Sequence, residues 1–174
     1  MDPDGRVVCS DLDGHEHFCF DSGSRKPTVL RSDRGRVVVA TSAGQIRTFD
    51  ESGALLWERQ LSSAVGCLAF TEDGNRLAVG GLDWVAVLRA SDGEVVFLRE
   101  HRERLVDVAF SHDGQRLFIQ PMTTNAQVLL SSSGRTLLEL DREGTVAIQT
   151  ALAVLPGDRV VTADNEGRVT VWSP

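Results

Sequence analysis

Five segments of this chain open in the same way: a turn ending in glycine, an arginine one or two residues on, and a short apolar run. They read Asp4-Gly5-Arg6-Val7-Val8, Arg34-Gly35-Arg36-Val37-Val38, Asp73-Gly74-Asn75-Arg76-Leu77, Asp113-Gly114-Gln115-Arg116-Leu117 and Pro156-Gly157-Asp158-Arg159-Val160. The arginines step by 30, 40, 40 and 43 residues. A second marker keeps the same spacing: Gly23, Gly53, Gly93 and Gly134 each follow Ser or Asp, at steps of 30, 40 and 41. Self-similarity at a fixed period means that one supersecondary unit is repeated, and each unit must bury its apolar surface against its neighbours.

Within a period the apolar runs are four to seven residues long and are separated by turn residues, so the unit is all-β. In the copy that follows His101, strands are predicted at Leu105 to Phe110, Arg116 to Gln120, Ala126 to Leu130 and Thr136 to Leu140. Four antiparallel strands in roughly 40 residues make one β-propeller blade. The Asp-Gly and Ser-Gly pairs between runs supply the positive-φ positions that tight hairpins need.

The repeats fall at approximately 1–23, 24–62, 63–102, 103–142 and 143–174, read as one domain of about four blades. The first copy lacks its innermost and outermost strands, and the last ends after its third, so the expected strand content is two, then four in each of three copies, then three. A ring built from these is expected to be incomplete, to be completed by a second copy or another propeller segment, or to be the tail of a longer protein.

Val65-Gly66-Cys67-Leu68-Ala69-Phe70-Thr71-Glu72-Asp73-Gly74 and His101 to Leu117 resemble the first half of WD40 repeats. Val160 to Ser173, with Asp164 and Trp172, resembles the second half. In that family a His, a strand Ser or Thr, a turn Asp and a strand Trp form a hydrogen-bonded network within each blade. The resemblance places His101, Asp83, Asp164 and Trp172 in those roles, with no copy holding the full set. Gly35 to Glu58, where a glycine is followed by Trp57, is instead similar to the quinoprotein-like propeller repeat. What the resemblance implies is a non-catalytic protein-interaction or scaffold module that binds a protein or peptide through its rim loops. The alternative it leaves open is a quinoprotein-like propeller with an enzymatic, cofactor or metal site.

Charge and composition narrow the partners. Eighteen basic against twenty-five acidic residues leave −7, and the basic residues are scattered singly, which argues against nucleic acid. No apolar run approaches the ~20 residues that cross a bilayer. The acidic Met1-Asp2-Pro3-Asp4-Gly5 start is unlike a secretory signal, so no membrane association and a cytoplasmic location are expected. Cys9, Cys19 and Cys67 read as reduced thiols, although a turn centred on Gly14 would set Cys9 opposite Cys19 and make a disulfide conceivable.

Candidate site residues are few. His15 and His17, in Asp11-Leu12-Asp13-Gly14-His15-Glu16-His17, alternate at strand spacing and can share a face, but the turn geometry explains Asp-Gly there and a third ligand is missing, so no metal or cofactor is assigned. Trp84, after Gly80-Gly81-Leu82-Asp83, reads either as an exposed partner anchor or as packing between blades. Asp11, Asp13, Asp83 and Asp164 occupy equivalent turns, where conformation alone favours Asp. No nucleophile elbow, phosphate loop or His-Glu-x-x-His motif supports catalysis. Partner contacts are therefore expected at Trp84, Asp83, His15 and His17. The arginine that opens each second strand is read as structural, its stem over apolar surface and its head in water.

Overall fold

A computed structural model describes residues 6–10, 12–21, 27–140 and 147–173, with the backbone alone at positions 9, 17, 18, 20 and 27–32. The described residues form seventeen strands and no helix. Their contacts divide the chain into two compact units, Met1–Val65 and Gly66–Pro174. The division falls three residues past the border between the repeats 24–62 and 63–102, at the first residue of a strand.

In the first unit β1 (Arg6–Ser10) pairs with β2 (Glu16–Asp21), and β3 (Pro27–Asp33), β4 (Arg36–Thr41), β5 (Gln45–Phe49) and β6 (Leu55–Gln60) form a four-stranded sheet in chain order. Val7 joins Val39 and Phe49 in a small buried cluster. The β1–β2 register corrects one expectation: Val8, rather than Cys9, lies opposite Cys19, and Cys9 lies opposite Phe18. Successive positions of a strand point to opposite faces, so this one-residue offset removes the opposition a disulfide would need. Cys19 is an exposed thiol that accepts a hydrogen bond from Arg6 at 3.1 Å.

The second unit holds three sheets. The first contains β7 (Val65–Phe70), β8 (Arg76–Gly81), β9 (Trp84–Arg89) and β10 (Val95–Glu100). The second contains β11 (Leu105–Phe110), β12 (Arg116–Pro121), β13 (Ala126–Leu130) and β14 (Thr136–Leu140), within one residue of the strands read from sequence. The third contains β15 (Gln149–Leu155), β16 (Arg159–Asp164) and β17 (Val169–Trp172). The strand content of the five sheets is thus two, four, four, four and three, as the repeats predict, and each sheet is an antiparallel meander, the plan of a propeller blade.

Local chemistry makes the hairpins. In the Asp-Gly turn between β11 and β12, the Ser111 hydroxyl donates to Asp113 at 2.6 Å, Asp113 accepts the Gln115 amide at 2.9 Å, and Ser111 Oγ accepts the Arg116 amide at 2.9 Å. Gly114 completes the turn at φ +68°, a region costly to residues with a Cβ. Thr71, Asp73, Asn75 and Arg76 repeat these bonds one sheet earlier. The Thr71 hydroxyl, followed by the Asn75 amide, holds the Asp73 carboxyl down to about 2.

The sheets pack face to face. Buried Ala78, Val85 and Val87 of one sheet meet Leu105, Leu117, Ile119 and Leu129 of the next in a single cluster. Phe118, Val128 and Leu140 then meet Leu152 and Val160 of the third sheet. Side chains lace these layers. Arg76 donates to Ser131 Oγ at 2.8 Å, and Arg99 donates to the Gly134 carbonyl at 3.0 Å and to Thr136 Oγ1 at 2.7 Å. The repeated arginine thus does more than keep its head in water: at Arg76 the head reaches the neighbouring sheet. Gly134, at φ +69°, is needed twice over, because a Cβ there would stand 2.6 Å from the Phe97 ring.

Candidate functional site: a cleft at one end of the second unit

The loop that joins β10 to β11 and the turn that joins β12 to β13 lie side by side. The Met122 amide donates to the Arg104 carbonyl at 3.0 Å, and Glu103 Oε2 accepts the amides of Thr123 and Thr124 at 2.9 and 3.2 Å. On its other flank the same loop is tied to the β8–β9 turn, where the His101 amide donates to the Asp83 carbonyl at 2.6 Å. His101 Nδ1 lies 3.1 Å from the Glu103 carbonyl and 3.2 Å from the Glu103 amide, so in either tautomer the imidazole closes its own loop. Three successive turns are thereby clamped into one rigid rim.

Beside this clamp opens a cleft of about 480 Å³. Arg99, Glu100, His101 and Arg102 line it together with Glu139, Asn125 and Gln127. Burial by itself would raise the Glu103 carboxyl, but the amides of Thr123 and Thr124 and the Thr123 hydroxyl outweigh it and hold the group below the ordinary glutamate value. It is therefore anionic at neutral pH. Gln127 donates to Glu139 at 3.3 Å, while its own Oε1, shielded from solvent, accepts no hydrogen bond among the described residues. The cleft thus offers groups of both charges, which suit a ligand that carries both donors and acceptors better than a uniformly charged one.

The residues singled out from sequence are distributed differently. Asp83 is exposed and sits on the rim that holds His101, next to the cleft but outside its lining. Trp84 is a correction to the exposed-anchor reading: it is 1% exposed, with its indole against Gly81, where a Cβ would come within 2.3 Å. The ring takes the volume that glycine vacates, so it is core and presents no surface to a partner. His15 is exposed in the turn before β2, and the side chain of His17 and all of Asp11 lie outside the described residues. Among the described residues no group of three or more His, Cys, Asp or Glu could hold a metal.

Of the WD40-like network, Trp172 Nε1 donates to Thr162 Oγ1 at 3.3 Å. Asp164 instead accepts the amides of Glu166 and Arg168, both at 3.0 Å, and so shapes its own turn. The cleft itself was missed from sequence; the signal that could have found it is the run Arg99-Glu100-His101-Arg102-Glu103-Arg104, the densest charge in the chain, placed between two strands.

With this geometry in view, comparison with known proteins places the repeat. The sequence profile of the outer membrane protein assembly factor BamB matches residues 2–99. The chain belongs to this BamB-like propeller-repeat family. The match is of the quinoprotein-like type and extends well beyond the single copy, Gly35 to Glu58, that carries that likeness by eye. No curated protein matches the chain in sequence.

Solved propellers share the fold. The computationally designed Ika8 protein superposes with a TM-score of 0.85 at 22% identity, over 98% of this chain and 53% of that one. The designed Ika4 protein gives 0.76 at 25% identity, over 87% and 94%. BamB from Moraxella catarrhalis gives 0.73 at 13% identity, over 97% and 46%. The BamB-like chain thus spans about half the length of Ika8 and of BamB.

Proposed function

We propose that this BamB-like segment is a non-catalytic protein-interaction module that holds an extended stretch of a partner protein in the cleft beside His101 and Glu103. The observation that carries the reading is the Glu103 clamp, which fixes three turns around a cleft of mixed charge. Rigid loops on a stable sheet lose little freedom on binding, which is the usual way a scaffold gains affinity. The name of the family agrees with such a role, since an assembly factor acts on other proteins.

The test is site-specific photocrosslinking in the native host. A crosslinker at Arg102 or Asn125 gives a discrete protein adduct, one at His112 on the opposite end of the sheets gives none, and Glu103→Gln weakens the first two. Equal adducts at both ends would overturn the reading.

A further inference from the structure

Several of the charges around the cleft are spent inside the molecule. Glu103 accepts the amides of Thr123 and Thr124, His101 closes its own loop, and Arg99 donates to the Gly134 carbonyl and to Thr136. The charges that are left sort by place. Glu100, the last residue of β10, and Glu139 of β14 are exposed, and each lies on the fourth strand of its sheet. Arg102 and Arg104 are exposed on the loop that leads away from β10 to β11, the first strand of the next sheet. Among the described residues the side chains of Glu100, Arg102 and Arg104 make no salt bridge or hydrogen bond.

The two signs stand apart by a definite span. The Arg104 side chain lies beside β7, its Nε 3.9 Å from the point that a Cβ on Gly66 would occupy. Glu100 ends β10 and Gly66 is near the start of β7, so in this antiparallel meander both sit at the same end of the sheet. β7 and β10 are its two edges, with β8 and β9 between. Three strand spacings of about 4.8 Å set the edges about 14 Å apart, which an extended chain rising about 3.4 Å per residue covers in about four residues. Residues four apart on a strand share a face. Asp83, on the turn between the two middle strands, lies outside the lining and favours neither end.

We infer that the cleft selects an extended segment of a partner protein with a basic and an acidic residue four positions apart on one face, the basic one against Glu100 and Glu139 and the acidic one against Arg102 and Arg104. This rests on the reading of the cleft as a protein-binding site and adds the charge pattern of the segment it holds. Opposite charges at a fixed separation reject wrong partners, because a segment with two like charges meets repulsion at one end. The polarity is built into the connection: the loop runs from the edge strand of one sheet to the opposite edge of the next, with Glu100 at its start and Arg104 at its finish.

The probes are fluorescent peptides with a Ser-Thr frame and blocked ends, read by anisotropy against the full chain. One carries Lys and Glu four positions apart, one carries the same pair three apart, and two carry Lys with Lys or Glu with Glu four apart. The first binds at least about 5-fold more tightly than the other three. Arg102→Glu with Arg104→Glu moves the preference to the Lys-Lys peptide, and Glu100→Lys with Glu139→Lys moves it to the Glu-Glu peptide. All four side chains are exposed, and unchanged circular dichroism checks that the variants fold. Equal binding of the four peptides, no saturation at millimolar concentration, or a preference that neither pair of substitutions moves overturns the inference. Crosslinking at Arg102 and Asn125 is read separately: adducts there beside unsorted peptides keep the protein-binding cleft and remove its charge pattern, whereas absent adducts remove both.

Discussion

Where the sheet β7–β10 meets β11–β14, every large side chain finds a vacancy made for it: Phe97 lies over Gly134, Gly80 leaves room for Leu105, and Arg76 and Arg99 reach across to Ser131 and Thr136. Where β11–β14 meets β15–β17, the same places are filled otherwise. Leu138 is half exposed, Gln120 stands where Gly80 does, Gln149 stands where Leu105 does, and Arg116 reaches Asp158 only at 3.4 Å. Both glutamines are fully buried, and the Oε1 of each accepts no hydrogen bond among the described residues, although their Nε2 groups donate to the carbonyls of Pro121 and Ala147. One interface is closed by complementary shape. The other keeps buried polar groups and leaves Leu138 half exposed.

The largest expected difference separates Phe97 from Leu138. Phe97→Ala, which empties the seat over Gly134, costs about 3–5 kcal/mol in urea unfolding, whereas Leu138→Ala costs about 0.5 kcal/mol or less. Equal losses would mean that the two interfaces are equally closed.

The glutamines should respond in the opposite direction. Gln120→Leu and Gln149→Leu together remove two buried acceptors without partners and leave stability unchanged or raise it by about 1 kcal/mol. A loss of that size would show that the pair is satisfied and that this interface is as complete as its neighbour.

The smallest effect lies in the Asp-Gly turns that both interfaces share. The Asp73 carboxyl is held at about 2 in the folded chain against an ordinary 3.8, so it contributes stability that is present above the unfolded value and lost as pH falls through 3.8 toward 2. The urea midpoint of Asp73→Asn should therefore fall less than that of the parent chain over that window. Parallel curves would remove the turn from the pH response.

Much of this architecture was legible in the sequence because hairpins are made locally. Ser111, Asp113 and Gly114 form their turn from residues four apart, so the repeat shows in the chain as clearly as in the fold, and the strands from Leu105 to Leu140 fall where the turns leave room. The site was less legible, because it depends on residues distant in sequence. Asp83 was found through its turn and does border the cleft, but Glu103 matters only because Thr123 and Thr124 arrive beside it, twenty residues later. Trp84 failed as an anchor for a similar reason. Its burial is decided by Gly81 across the hairpin, and the Gly80-Gly81 pair before it was the overlooked sign of a ring in need of space. The Cys9–Cys19 opposition failed by one residue, because the hairpin register sets Val8 opposite Cys19 and the place of Gly14 alone does not specify that register.

The contrast between the two interfaces is measured most directly by native-state hydrogen exchange. The account predicts that amides of β8, β9 and β12, between closed layers, exchange at least about 100-fold more slowly than those of β16 and β17. Uniform protection across these strands would contradict it, for then the second interface would be as closed as the first.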